Sequence, residues 1–258
     1  MLTAHRSSVK RTWRERIFEL GDYRAVLKLG SELFQAARLK HVRSQRVRMK
    51  AAPWAIGVRR FRMADPLYLS LWFSSFEADE MLPHALAVMR QFLFSLQQPG
   101  VTYLALHPVS WDEPTILERR FRPGISPEEA VLIASDLLHE DYAYLFEAFW
   151  DLWIVGENGE WTQQPSQVKF LVHGTEFDDG VYEREGHIEV DLGLDSLFLQ
   201  DEVPLTIEAA ARVRANVQKL VEFTGKIEKN SGAGARLLWS ESDENFAQKL
   251  IARLQRMQ

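Results

Sequence analysis

The chain has 258 residues, no cysteine, 46% hydrophobic and 26% charged residues and a formal net charge of −5. This is a globular composition; it excludes a mainly disordered chain, a disulfide-stapled mini-protein and any chemistry that needs a thiolate. The net charge hides a split: residues 1–62 sum to +12, 63–125 to −3, 126–202 to −17 and 203–258 to +3. Such asymmetry points to interaction surfaces and says little about fold.

Residues 9–46 read as two helices around Gly21-Asp22, with apolar Val9, Trp13, Ile17 and Leu20, then Val26, Leu29 and Leu33. They form a basic helical segment over 1–50, and the start has no apolar core of a secretory signal. Val58, Phe61 and Met63 lead to the turn Ala64-Asp65-Pro66. Leu67–Phe73 alternates as a strand with Leu67, Leu69, Leu71 and Phe73 on one face. A helix follows, its stripe being Leu82, Leu86, Met89, Leu93 and Leu96, stopped by Pro99-Gly100. Val101–Leu106 is a strand, and 107–125 reads as a proline-rich connection.

Ser126-Pro127-Glu128-Glu129 starts the best-signalled helix, with a capping serine, a proline in the first turn and Glu129 three residues on. That helix is expected through Leu138, restarting at Asp141 and reaching Phe149. Leu152–Val155, Glu157-Asn158-Gly159 and Trp161 read as a hairpin. Gln167–Phe177 and His187–Leu194 are strands, Pro204–Ser231 a long helix with Ile207, Ala210, Val213, Val217, Leu220 and Val221 inward, and Arg236–Trp239 a strand. Ser242-Asp243 precedes a last helix with Phe246, Leu250, Leu254 and Met257 on one face.

The fold class expected is α+β: mainly antiparallel sheet with helices on one face, preceded by the basic segment. The order strand, strand, helix, strand, helix occurs over 58–140 and again over 167–257, which suggests a ββαβα pseudo-duplication. The domain reading is 1–50 basic helical segment, 51–149 first half, 150–165 connecting hairpin and 166–258 second half. No segment reaches the roughly 20 apolar residues of a membrane span, and a cytoplasmic location is expected.

Three surfaces could carry function. The first is acidic: residues 176–202 hold ten Asp/Glu and one Arg. Its carboxylates Glu176, Asp178, Asp179, Glu189 and Asp191, with the aromatics Trp153 and Trp161, suit the binding of another protein, a basic partner or a second copy. The second is an alternative use of the same strands. In His187-Ile188-Glu189-Val190-Asp191-Leu192 the polar residues share one face, and with His173 they are candidate ligands for a divalent metal that activates water in a hydrolase or nuclease. The same alternation is also that of the solvated face of an antiparallel sheet, the preferred reading. The third is Arg38, Lys40, Arg43, Arg46, Arg48 and Lys50, a basic run that could contact nucleic-acid phosphates but lacks interleaved aromatics.

No phosphate-binding loop, dinucleotide fingerprint or nucleophile elbow is present, and no cofactor is implied. The expectation is therefore a non-catalytic, protein-binding protein. In broad type (acidic, poor in motifs, α+β) it resembles immunity proteins of bacterial toxin systems, a likeness of class that no motif carries.

Overall fold

The computed structural model describes residues 64–201, 203–204, 206–240 and 246–255. The N-terminal helices, the basic run Arg38–Lys50 and the 58–63 segment lie outside the described residues. No described helix is long and apolar enough to cross a membrane.

The chain is α+β, built on one seven-stranded antiparallel sheet with several helices. The strands are β1 (Pro66–Trp72), β2 (Val101–Pro108), β3 (Leu117–Ile125), β4 (Tyr142–Val155), β5 (Trp161–His173), β6 (Ile188–Leu194) and β7 (Ala235–Ser240). The helices are α1 (Ala78–Met89), α2 (Pro127–Ala134), the one-turn α3 (Tyr182–Glu185) and α4 (Ser196–Leu199), α5 (Ile207–Asn230) and α6 (Phe246–Gln255). The sheet order is β3-β2-β4-β5-β6-β1-β7. The two sequence halves therefore contribute to one sheet, with β1 of the first between β6 and β7 of the second.

Register makes one face apolar. Leu104, Phe146, Phe170, Val190, Leu69 and Leu238 are consecutive cross-strand partners from β2 to β7, all buried. Phe223 of α5 and Phe92, just after α1, close on this row; Phe92 meets Phe170 edge-on at 5.3 Å and Phe223 at 5.3 Å. Trp150 lies against Phe92 and Phe198. This helix-covered face is the core.

Five sequence expectations are corrected. The segment 141–149 is not helix: Tyr144, Phe146, Ala148, Trp150 and Leu152 are buried in strict alternation, the period of a strand. The 150–165 hairpin is the distal part of a longer one, since β4 and β5 pair from Ala143↔His173 to Val155↔Trp161. The connection 107–125 contains β3, an edge strand whose Arg119, Arg120 and Arg122 are exposed, charges that discourage further pairing. The helix expected to reach Leu96 ends at Met89, leaving Leu96 exposed, and Ile207 opens α5 facing outward at 94% exposure. The capping serine behaves as read: Ser126 Oγ accepts from the Glu129 N–H at 3.2 Å.

Beyond β2, the outer edge of β4 would leave its backbone unpaired. Helix α5 seals it: Asn216 accepts from the Trp153 N–H at 2.8 Å and donates to the Trp153 carbonyl at 2.8 Å. Ser95 N–H donates to the Phe149 carbonyl at 2.6 Å. The last helix docks through a buried ion cluster. Lys249 Nζ donates to Asp195 at 2.7 Å and to Asp65 at 2.5 Å, and Arg253 binds the carbonyls of Leu199 and Val203 at 2.9 and 2.7 Å.

Candidate functional site

The other face of the same strands carries the polar alternation. One row runs in register across all seven strands: Arg120, Tyr103, Glu147, Lys169, Asp191, Tyr68 and Trp239. Arg120 lies over the Tyr103 ring at 4.7 Å, Lys169 is 3.7 Å from Asp191, and Tyr68 packs on Trp239 at 4.8 Å. Two grooves open along this row, about 480 Å³ beside Arg120 and Glu147 and about 450 Å³ beside Lys169 and Asp191.

The next rows are not open to water. Between β5 and β6 the chain folds back over the sheet as a strap, residues 174–187, containing the 3-10 turn Phe177–Asp179 and α3. The solvated face expected for His187 and Glu189 is therefore corrected. His187 is buried, Glu189 is 6% exposed and His173 is fully buried. A strand pattern reports which residues share a face; it does not report that a distant segment covers that face.

Both imidazoles have their tautomers fixed by backbone partners. His173 Nδ1 is 2.9 Å from the Gly186 carbonyl, which can only accept, so Nδ1 carries the proton. Its Nε2 is buried with no hydrogen-bond partner among the described residues. His187 Nδ1 accepts from the Phe73 N–H at 3.0 Å, so its proton is on Nε2. The His187 ring is sandwiched between Phe76 at 4.4 Å and Tyr182 at 4.7 Å. Burial first, then the nearby His84 and His173, hold its pKa down to about 4. Burial likewise lowers that of His173.

Glu189 faces Leu171 and Ser70 across the sheet. Burial, then Glu185 and Asp191, push its pKa up to about 8, against the opposing Arg184. Its carboxyl thus favours the protonated form at neutral pH, on the same face of the sheet as two imidazoles whose neutral form burial favours.

Such a pair of displaced acids and bases can mark chemistry. Here neither groove is lined by Glu189, His173 or His187, so neither brings a substrate to them. Among the described residues no three or more His, Asp or Glu side chains converge to hold a metal ion. The Nδ1 atoms of both histidines are already engaged by backbone, and Asp191 accepts from the Gly193 N–H at 2.9 Å. No residue is assigned as a metal ligand.

The acidic candidates divide by layer. Glu176, Asp178 and Asp179 stand exposed on the strap with Glu183, while Glu189 lies beneath it. Trp153 and Trp161 lie elsewhere: Trp161 starts β5, about 40 Å of extended strand from the strap, and Trp153 of β4 pairs with Gln163, about 33 Å along β5 from it. Trp153 is half-buried under Arg212, whose guanidinium sits 3.6 Å from the ring.

Sequence reasoning missed the strap's supports. Trp72 Nε1 donates to the Tyr182 carbonyl at 2.9 Å. Trp111 meets His107, Phe177 and His173 edge-on at 4.8, 5.0 and 5.9 Å. Val109 has φ 61°, a strained value for a β-branched residue, and its carbonyl accepts from the Asp178 N–H at 2.8 Å. Asp178 and Asp179 are left-handed too, at φ 47° and 52°. Only Asp178-Asp179-Gly180 signalled a turn in the sequence; nothing local announces Val109.

Comparison of the chain with family models, with curated proteins and with solved structures finds no match in any of the three.

Proposed function

We propose that this chain binds another protein, with the outer side of the strap as its docking surface. The observation that carries the reading is the exposure of Glu176, Asp178, Asp179 and Glu183 on a segment fixed to the sheet by side-chain and backbone bonds. A fixed acidic surface loses little freedom on binding and steers a basic partner by long-range attraction. A basic protein, such as a nuclease whose phosphate-binding groove the acidic surface would cover, fits this chemistry. The likeness in type to immunity proteins supports the same reading. The roughly 30–40 Å to Trp153 and Trp161 makes the strap the first contact and leaves these tryptophans to a separate, smaller role.

The test is co-purification of the full chain from its native host, then association kinetics against the recovered protein. Replacing Glu176→Gln, Asp179→Asn and Glu183→Gln together should slow association about tenfold at low salt, with the difference shrinking as salt is raised. A recovered partner whose on-rate is unchanged by the triple variant overturns the reading.

A further inference from the structure

The strap's inner side has a different character from its outer side. Its two ends are pinned by glycines at close approach. A Cβ at Gly174 would come 2.0 Å from the Glu140 carbonyl oxygen, and one at Gly186, where φ is 99°, would come 2.8 Å from the Leu71 nitrogen. Between them the strap is held by three side-chain bonds, each involving a sheet residue or its neighbour: His173 to Gly186, Phe73 to His187, and Trp72 to Tyr182. One of these bonds, Phe73 N–H to His187 Nδ1, requires a neutral imidazole, whereas His173 Nδ1–H can donate to Gly186 in either protonation state; Glu189, 6% exposed, lies on the same face of the sheet as both histidines.

We propose that residues 174–187 form a pH-gated latch, closed on the sheet near neutral pH, released above it when Glu189 ionises and below it when His187 and His173 take up protons. This deepens the docking reading, from which it takes only the outer side of the strap as the regulated surface; the latch itself works in the free protein.

The groups that face this space are named element by element. The strap contributes Asp178, Arg184 and Glu185; β6 and its approach contribute His187, Glu189 and Asp191. From β5 come His173 and, one row on, Lys169; from α1 comes His84. From β1 come Ser70, Trp72 and, one row on, Tyr68 opposite Asp191, and the strap adds Tyr182, stacked on His187 at 4.7 Å; Ser70 Oγ already accepts from Trp239 Nε1 at 2.9 Å. His107 stands beyond Trp111.

On the alkaline side, ionised Glu189, 6% exposed, would sit with little access to water near Glu185 and Asp191. The one facing cation on the strap, Arg184, is already 2.7 Å from Glu185. Lifting the strap gives the new charge water. On the acid side, a proton on His187 Nδ1 turns the acceptor of the Phe73 N–H into a second donor. A proton on His173 Nε2 creates a buried charge with no acceptor.

The signs follow from linkage. In the closed form Glu189 titrates near 8, against an ordinary 4.5, so closure weakens as pH rises through that interval. In the closed form His187 titrates near 4, against an ordinary 6.5, and His173 is displaced the same way. Closure therefore weakens as pH falls below 6.5. Below 6.5 His187 and His173, both displaced downward, oppose the carboxyl, and above 6.5 the carboxyl acts with little opposition, so closure is strongest near pH 6.5.

The experiment is hydrogen exchange on the full chain from pH 5 to 9, read as protection factors to remove the intrinsic pH dependence. Amides of Phe73, Gly174 and Gly186 should be most protected near pH 6.5. Their protection should fall several-fold in all between pH 6.5 and 8, the carboxyl's proton loss being partly offset by the last deprotonation of the open-state histidines, while Phe146 and Phe170 stay unchanged relative to each other. Glu189→Gln should abolish the alkaline fall, and His187→Asn, which keeps an acceptor for the Phe73 N–H, should flatten the acid limb. A flat wild-type profile from pH 6.5 to 8.5, or an unaltered alkaline limb in Glu189→Gln, overturns the latch; the first needs no variant. Glu176→Gln with Glu183→Gln should leave the profile in place, so loss of partner binding in that variant and loss of gating in Glu189→Gln are separate outcomes.

Discussion

Two sets of buried residues on opposite faces of β1, β5 and β6 respond to burial in opposite ways. On the helix side Leu69, Phe170 and Val190 are buried, with Phe170 packed edge-on against Phe92 and Phe223. On the strap side Ser70, His173 and Glu189 lie on the same three strands, under or beside residues 174–187. Removing water from carbon stabilises the fold in proportion to area, at any pH. Removing water from an ionisable group instead selects its neutral form, and so ties that part of the fold to proton concentration. Fractional burial alone does not distinguish a core from a sensor; the chemistry of what is buried does.

The largest expected effect breaks the helix side. Phe170→Ala removes a ring that packs edge-on against Phe92 and Phe223, and it should cost about 3–5 kcal/mol in chemical denaturation. The loss should be the same at pH 6.5 and at pH 8. A loss that changes with pH would mean that the two faces are coupled, and the comparison would fail.

The strap side should give a smaller effect that is entirely a matter of pH. Glu189 has a raised pKa in the folded state. Its neutral form therefore contributes fully below the unfolded value, and the contribution is lost as pH rises through about 8. From pH 6.5 to 8 the carboxyl alone should lower stability by about 1.5 kcal/mol, partly offset as the last protons leave the two histidines of the unfolded chain, for a net fall of about 1 kcal/mol. Glu189→Gln should remove most of that slope. Denaturant midpoints measured across this interval decide it, and an equal slope in both proteins would leave Glu189 with no part in it.

How much of this was legible in the sequence differs between the faces for the same reason. The helix side is local pattern: Leu67, Leu69, Leu71 and Phe73 alternate, and all are buried as the alternation requires. The start of α2 was equally readable, because Ser126 and Glu129 satisfy each other within one turn. Residues 141–149 misled because a 14-residue strand is as long as a helix, and its aromatic alternation had to be weighed against that length. The exposed strap carboxylates were legible as composition. That Glu189 lies beneath them was not, since its cover is held by Trp72, Phe73 and Gly186, contacts that only the sheet order creates. His187 and Glu189 read as surface because period-two patterns assign faces, not neighbours.

The smallest effect sharpens the comparison where strap and sheet meet. Val109 is held at φ 61° by bonds on both sides. Its N–H donates to the Asp141 carbonyl at 2.7 Å and its carbonyl accepts from Asp178 at 2.8 Å. A left-handed L-residue costs roughly 1–2 kcal/mol, and the Val109 side chain, 54% exposed, recovers little of that by packing. Glycine removes the steric cost but adds chain entropy to the unfolded state, about 0.5–1 kcal/mol. Val109→Gly should therefore stabilise the fold by up to about 1 kcal/mol, with no change in pH slope. A loss of stability would show that the valine methyls are packed rather than spare. If the fold gains stability while the recovered partner binds more weakly, the strain at Val109 serves the docking surface: the bond to Asp178 sets where the two carboxylates of the 178–179 turn point, and relaxing it lets them wander.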